Sequence, residues 1–280
     1  RIAVAVPDAL SSLNESGWEA AASAIMTTDT VEKLSSRQLE IGGERVTVTG
    51  MAKGSGMIRP DMATMLAYIA TDAAVESRLL QDCLEQAVAP SFNSITVDGD
   101  TSTNDACVLI ATGRSGCPPI DDPESEAYRQ LSDGVREVCM ELARAIVKDG
   151  EGATKLVEVS VTGAADLAEA RDVAYTIAHS PLVKTAVFAA DPNWGRILAA
   201  VGRAGVTDLD IDSIRILLDD VCIVRDGGRS PEYTEAAGQA VMDRDEFTIA
   251  VELNRGEIST RVLTCDLSYD YVKINAEYRT

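Results

Sequence analysis

Between Met51 and Asp72 (MAKGSGMIRPDMATMLAYIATD) the chain changes character within a few residues. A small-residue loop with one lysine (Lys53, Gly54, Ser55, Gly56) gives way to a Pro60–Asp61 turn, then Ala63–Thr64, then the apolar run Met65-Leu66-Ala67-Tyr68-Ile69. Glycines let the backbone approach a ligand or take positive φ, and Pro60 biases Arg59 away from the helical region. Thr64 is therefore predicted where an irregular loop enters a buried strand. A rigid strand end beside a loop with free backbone donors suits a hydroxyl nucleophile. Strand propensity alone would also put a threonine there.

The rest of the chain alternates between two periodicities. Ser16–Ile25 has apolar residues at helical spacing (Trp18, Ala21, Ala22, Ile25), with Ser16 and Glu19 as a capping box. Val75–Ala89 and the segment from Leu131 to Ile146 (Leu131, Val135, Val138, Cys139, Leu142) are amphipathic helices. Asp166–Ala178 is a helix with Asp166 at its N-cap, and Pro231–Met242 is another. Strands are expected at Arg1–Asp8, Leu39–Gly50 (a hairpin about Gly42-Gly43), Ile95–Val97, Lys155–Val161 and Val183–Ala189. Others are expected at Ile214–Leu218, Val221–Val224, Glu246–Leu253 and Ser259–Cys265, and Ala106–Thr112 is apolar enough to be buried. Without strict βαβ alternation, the pattern fits α+β layers, mixed sheets with flanking helices, better than a doubly wound sheet.

Composition narrows the function classes. With 25 basic and 45 acidic residues in 280, the formal net charge is −20. Such a surface disfavours nucleic acid and anionic membranes as partners. No apolar run approaches 18 residues, so a soluble protein is expected. The six cysteines include no C-x-x-C pair, which favours reduced thiols and a cytoplasmic setting.

The segment KGSGMIRPDMATMLAYIATDA closely resembles the self-processing site of the ornithine acetyltransferase (ArgJ) family, also called glutamate N-acetyltransferases. The resemblance implies the family's layered α/β sandwich and cleavage of the precursor at the Ala63–Thr64 bond. Thr64, freed at the new N-terminus, would then be the acyl-accepting nucleophile, with its own α-amine (pKa about 8) as base. The implied reaction moves acetyl from N-acetylornithine to glutamate by ping-pong transfer, in arginine biosynthesis. The resemblance also marks Thr27 (with Thr28 adjacent), Lys53, Glu151, Asn275 and Thr280 as substrate-binding. No metal or cofactor is implied, and acetyl-CoA is open as a second acetyl donor. Residues 1–63 would be the end of an alpha chain whose upstream part lies outside this sequence. Residues 64–280 would be the beta chain, with room for a smaller subdomain from about 205. Two alpha and two beta chains would form a heterotetramer. The alternatives are a self-processing amidase or aminopeptidase and a non-catalytic domain that keeps the fold.

Other motifs carry less. In DGDTSTND (Asp98–Asp105) a calcium loop would need glycine where Thr103 stands and a bidentate glutamate where Leu109 stands. The segment is instead expected to be structural, with Asp98, Asp100 and Asp105 capping backbone N–H groups. KGSG lacks the P-loop pattern. ADPNWGR (Ala190–Arg196) is expected to support the core near the site through Asn193, Trp194 and Arg196. His179 has no metal-spaced partner and reads as a helix-end residue. Acyl transfer needs an oxyanion hole, worth about 3–4 kcal/mol per donor. The family's Thr-Gly pair has no counterpart before Thr64, and Thr112-Gly113 lies on the wrong side of it.

Overall fold

The computed structural model describes residues 2–59, 65–102 and 104–278. Helices α1 (Ile2–Ser11) and α2 (Trp18–Ala24) precede strands β1 (Lys33–Ile41), β2 (Glu44–Lys53) and β3 (Leu66–Thr71). Next come α3 (Ser77–Val88), β4 (Ala106–Ala111), α4 (Glu126–Lys148) and β5 (Leu156–Ala164). Helices α5 (Leu167–Ala178), α6 (Pro181–Phe188) and α7 (Trp194–Gly202) follow, then β6 (Arg215–Leu218), β7 (Val221–Arg225) and β8 (Gly228–Arg229). The chain continues through α8 (Glu235–Met242), β9 (Glu246–Glu252), β10 (Ile258–Cys265) and α9 (Tyr269–Glu277). This is an α+β fold of mixed sheets with flanking helices.

The first sheet has the order β1-β2-β3-β4. Gly42 and Gly43, both at positive φ, close the β1–β2 hairpin and set Ile41 opposite Glu44. The β2–β3 pair is antiparallel and β3–β4 is parallel. α3 and α4 cover one face, and the apolar stripe of α4 (Leu131, Val135, Val138, Leu142, Ile146) is buried against it. The approach is close enough that a Cβ on Gly50 of β2 would lie 2.9 Å from Val138 Cγ1 and Leu142 Cδ1.

The second sheet has the order β10-β5-β9-β6-β7-β8, with β5 and β9 parallel and the other pairs antiparallel. Val157, Val159, Val161, Ile249, Val251, Ile216 and Leu218 form its buried side, packed with Ala170, Val173, Ala174 and Ile177 of α5. Asp166 caps α5 by accepting from Glu169 N, as its sequence predicts. Residues beyond 205 share this sheet and core with β5. The two halves meet where Ile95 bridges Leu263 and Thr96 N donates to Leu263 O.

Five local expectations fail for physical reasons. Arg1–Asp8 was expected to be extended, but Ile2–Ser11 is helical; its alanines favour helix, and no strand pairs with it among the described residues. Val183–Ala189 also reads as strand but lies in α6, where Ser180 accepts from Val183 N and Pro181 occupies the first turn. The Ser16–Glu19 capping box does not form; Gly17 is the N-cap of α2 and the Ser16 hydroxyl donates to Asn14. β4 is an edge strand rather than a buried one, with Val108 39% and Ile110 52% exposed. Ile95–Val97 makes a single bridge rather than a ladder. No helix among the described residues is long and apolar enough to cross a membrane.

The tight seat of α4 gives a direct test. Gly50→Ala would push a methyl group into Val138 and Leu142, and the expected loss is about 1–3 kcal/mol. Denaturant unfolding with an unchanged m-value measures it.

Candidate active site

The site is assembled at the C-terminal end of β2. Lys53 is the last residue of that strand, is 6% exposed, and pairs in register with Leu66 at the start of β3. Beyond it the chain leaves the ladder through Gly54 (φ 156°), Ser55 and Gly56. Ala63, Thr64 and Thr280, the expected scissile residue, nucleophile and tail contact, lie outside the described residues. Met65 and Leu66, which follow Thr64 in sequence, are described and lead into β3.

The other four expected substrate residues gather around the Lys53–Gly56 loop. Glu151 N donates to Ser55 O at 2.9 Å, and Ser55 Oγ donates to Asp149 O at 2.7 Å. The Glu151 carboxyl group lies directly over Gly56, where an added Cβ would come within 2.4 Å of its Cδ. A residue larger than glycine at 56 would displace that carboxylate. Asn275 of α9 donates from Nδ2 to Glu151 Oε2 at 2.7 Å, so the C-terminal helix is docked on the Glu151 turn. Ser268 anchors that helix, accepting from Asp270 N and Tyr271 N and donating to Gly152 O. Thr27 joins through its backbone N–H, which donates to Asp29 Oδ2 at 3.1 Å.

The binding force behind this gathering is a buried charge cluster that the sequence reading missed. Lys33 Nζ lies 2.6 Å from Asp29 Oδ1 and 2.6 Å from Asp149 Oδ2, and the three side chains are 1%, 0% and 8% exposed. Asp29 also accepts from Gly54 N at 2.8 Å, and Asp149 accepts from Thr30 N at 3.0 Å and from the Thr30 hydroxyl. The cluster therefore ties the Thr27–Thr30 turn, the Lys53–Gly56 loop and the Asp149–Glu151 turn to one ammonium group. Burial works to raise the Asp29 pKa, but hydrogen bonds from Lys33, Gly54 and Thr27 outweigh it and hold the carboxyl below its ordinary value. An acidic or basic residue in a turn usually faces water. The one sequence hint was the four-residue spacing of Asp29 and Lys33, which is uninformative outside a helix.

DGDTSTND lies beside this site and caps backbone amides, as predicted for Asp98 and Asp105. Asp98 accepts from Met57 N and Ile58 N, and Asp105 accepts from Met65 N. His179 follows α5 as its C-cap, as expected, and its Nε2 lies 3.1 Å from Thr96 Oγ1. The Thr96 hydroxyl donates to the Ile58 carbonyl at 2.9 Å, so His179 Nε2 must carry the proton in that pair. Burial lowers the His179 pKa to about 4, helped by the charges of Arg59 and Lys184, and the ring is neutral at pH 7.

Thr112 and Gly113 follow β4 at its far end from Ala106, which pairs with Leu66. Thr112 is six residues of extended chain, about 20 Å, from the Leu66 end of the sheet. Asn193 caps α7 through Arg196 N and Arg196 braces the Leu182 carbonyl of α6. Trp194 packs on the second core. None of the three hydrogen-bonds to Lys53, Glu151 or Asn275. Among the described residues no three His, Cys, Asp or Glu side chains are placed to hold a metal ion.

The cluster generates a two-part prediction. Lys33→Met leaves two buried carboxylates without their cation and should cost about 3–5 kcal/mol. The Asp29 pKa is depressed on folding, so its contribution is complete above its unfolded value, about 3.9. It is lost as pH falls through the lower folded value. Thermal melts of the unsubstituted protein should therefore lose stability more steeply below about pH 4 than melts of Asp29→Asn.

The profile of the ArgJ family matches residues 1–280. The arginine biosynthesis bifunctional protein ArgJ of Pseudomonas fluorescens is 58% identical over the whole chain, which spans 69% of that protein. That of Methylococcus capsulatus is 61% identical over the whole chain and 68% of its own length. The crystal structure of the arginine biosynthesis bifunctional protein argJ from Bacillus halodurans superposes with a TM-score of 0.71 at 40% identity, covering 75% of this chain and 98% of that one. The chain belongs to the ArgJ family.

Proposed function

We propose that this protein is a self-processing N-acetyltransferase of arginine biosynthesis, moving acetyl from N-acetylornithine to glutamate through an acetyl-Thr64 intermediate. The observation that carries this reading is the convergence of Lys53, Glu151 and Asn275 on one loop, in a chain whose relatives are named for arginine biosynthesis. Lys53 supplies a cation for an α-carboxylate, and Glu151, oriented by Asn275, supplies an anion for the ornithine ammonium. Thr27 and Thr280 complete the substrate set.

In processing, Thr64 Oγ attacks the Ala63 carbonyl carbon, the C–N bond breaks and the nitrogen takes the proton, leaving an ester. Water opens that ester, giving an Ala63 carboxylate and a free Thr64 α-amine. The amine then takes the hydroxyl proton as Oγ attacks the acetyl carbonyl of N-acetylornithine, and ornithine leaves. The glutamate α-amine attacks the acetyl ester and regenerates the hydroxyl. This sequence requires side chains, backbone and one water for the cut, with acetyl-CoA as a second donor to be assayed. The fragments 1–63 and 64–280 stay together through the β2–β3 ladder, in a heterotetramer of two alpha and two beta chains acting in the cytoplasm.

N-terminal sequencing should return a fragment beginning Thr-Met-Leu-Ala. Thr64→Ala should abolish both the cut and acetyl transfer to glutamate. Lys53→Ala and Glu151→Ala should raise KM about 10-fold or more, as expected for loss of a charged hydrogen bond of about 1.5–3 kcal/mol, while the chain is still cut. Uncut Lys53→Ala protein, or hydrolysis without transfer, would contradict this assignment.

A further inference from the structure

The chain enters the 60–64 segment from Ile58–Arg59 and leaves it at Met65; Thr96–Asp98 hold the first end and Asp105–Ala106 the second. On the entering side, Asp98 Oδ2 accepts from Met57 N at 2.7 Å and Oδ1 from Ile58 N at 3.1 Å. The Ile58 carbonyl accepts from Thr96 Oγ1 and from Val97 N, both at 2.9 Å. Met57 has φ 56°, a left-handed conformation that costs a non-glycine residue about 1–2 kcal/mol. On the leaving side, Asp105 Oδ1 accepts from Met65 N at 2.7 Å, and Ala106 N donates to Met65 O at 3.1 Å. None of the three amides held by carboxylates belongs to a strand ladder. Behind Asp98 stands Tyr271 of α9, whose hydroxyl donates to Oδ2 at 3.3 Å.

We propose that Asp98 and Asp105 are positioning residues for scission of the Ala63–Thr64 bond, two jaws that fix the separation and direction of the ends between which that bond is cut. The inference rests on the self-processing reading above. Neither carboxylate forms a bond or moves a proton in the step. Thr64 Oγ still attacks the Ala63 carbonyl, and the amide nitrogen still leaves with the proton. The carboxylates act through the backbone, by limiting the conformations from which that attack is made. Misplacement of reacting atoms by about 1 Å can cost about 100-fold in rate.

The test follows the cut in the full chain by intact mass against time, with a thermal melt of each variant. Asp98→Asn replaces one of two acceptors with an NH₂ donor, and Asp105→Ala removes the acceptor for Met65 N. Each should slow the cut about 10-fold or more while the folded fraction stays above nine-tenths. Asp105→Asn, which keeps an acceptor, should be slowed less than Asp105→Ala. Tyr271→Phe should slow the cut less than Asp98→Asn. Folded Asp98→Asn and Asp105→Ala protein cut at the unsubstituted rate would overturn the proposal, as would a lowered melting temperature with no change in cutting. If Asp105→Ala fails to fold, the rates of Asp98→Asn and Asp105→Asn decide by the same criterion. An unsubstituted chain that is never cut at Ala63–Thr64 would instead remove the self-processing reading, and this inference with it.

Discussion

A lysine ammonium held between two carboxylates is the constraint on which the rest of the site depends. Lys33 sits at the start of β1, 2% exposed, and Asp29 and Asp149 approach it from segments more than a hundred residues apart. Burying one lysine is costly, and the attraction to two carboxylates offsets that cost only in this geometry. The spare lone pairs of the carboxylates then accept backbone N–H groups from Thr27, Thr30 and Gly54. Three loops that would otherwise be independent are registered to one another by a single cation. Lys53 and Glu151 inherit their positions from it.

The same chemistry recurs where the backbone leaves β3, β6 and β10. Asp72 accepts from Thr47 N, Asp219 from Thr248 N, and Asp266 from Thr154 N and Lys155 N. With Asp98 and Asp105 these form a system of carboxylates that satisfy backbone amides in loops and, at Thr47 and Thr248, on strands beside the end of a neighbouring strand. The net charge of −20 thus overstates the surface field. Part of the acidic count is engaged in holding backbone amides.

The sequence was legible where periodicity and local chemistry agreed. The α4 stripe, the Gly42-Gly43 hairpin and the Asp166 cap each appear where their residues predict. It misled where an apolar run had no flanking context. Val183–Ala189 has strand-like composition, yet Ser180 and Pro181 just before it start a helix. Ala106–Ala111 is apolar because it pairs with β3, but at a sheet edge one of its faces is left open. The site residues named from resemblance were brought together among those the structure describes, whereas Asp29, Lys33 and Asp149 carried no pattern to find them by.

By itself the sequence determined where the β1–β2 hairpin turns, that the α4 segment is helical over several turns, and that Asp166 caps α5, because these depend on neighbours within a few positions. Only the tertiary structure decided that Lys33 meets Asp149, that Asn275 reaches Glu151, and that Thr96–Asp98 and Asp105–Ala106 hold the two ends of the 60–64 segment. Those contacts join residues far apart in the chain, and their energy comes from removing charges and amides from water together. That partnership is set by how the sheets and helices stack, which local spacing does not encode.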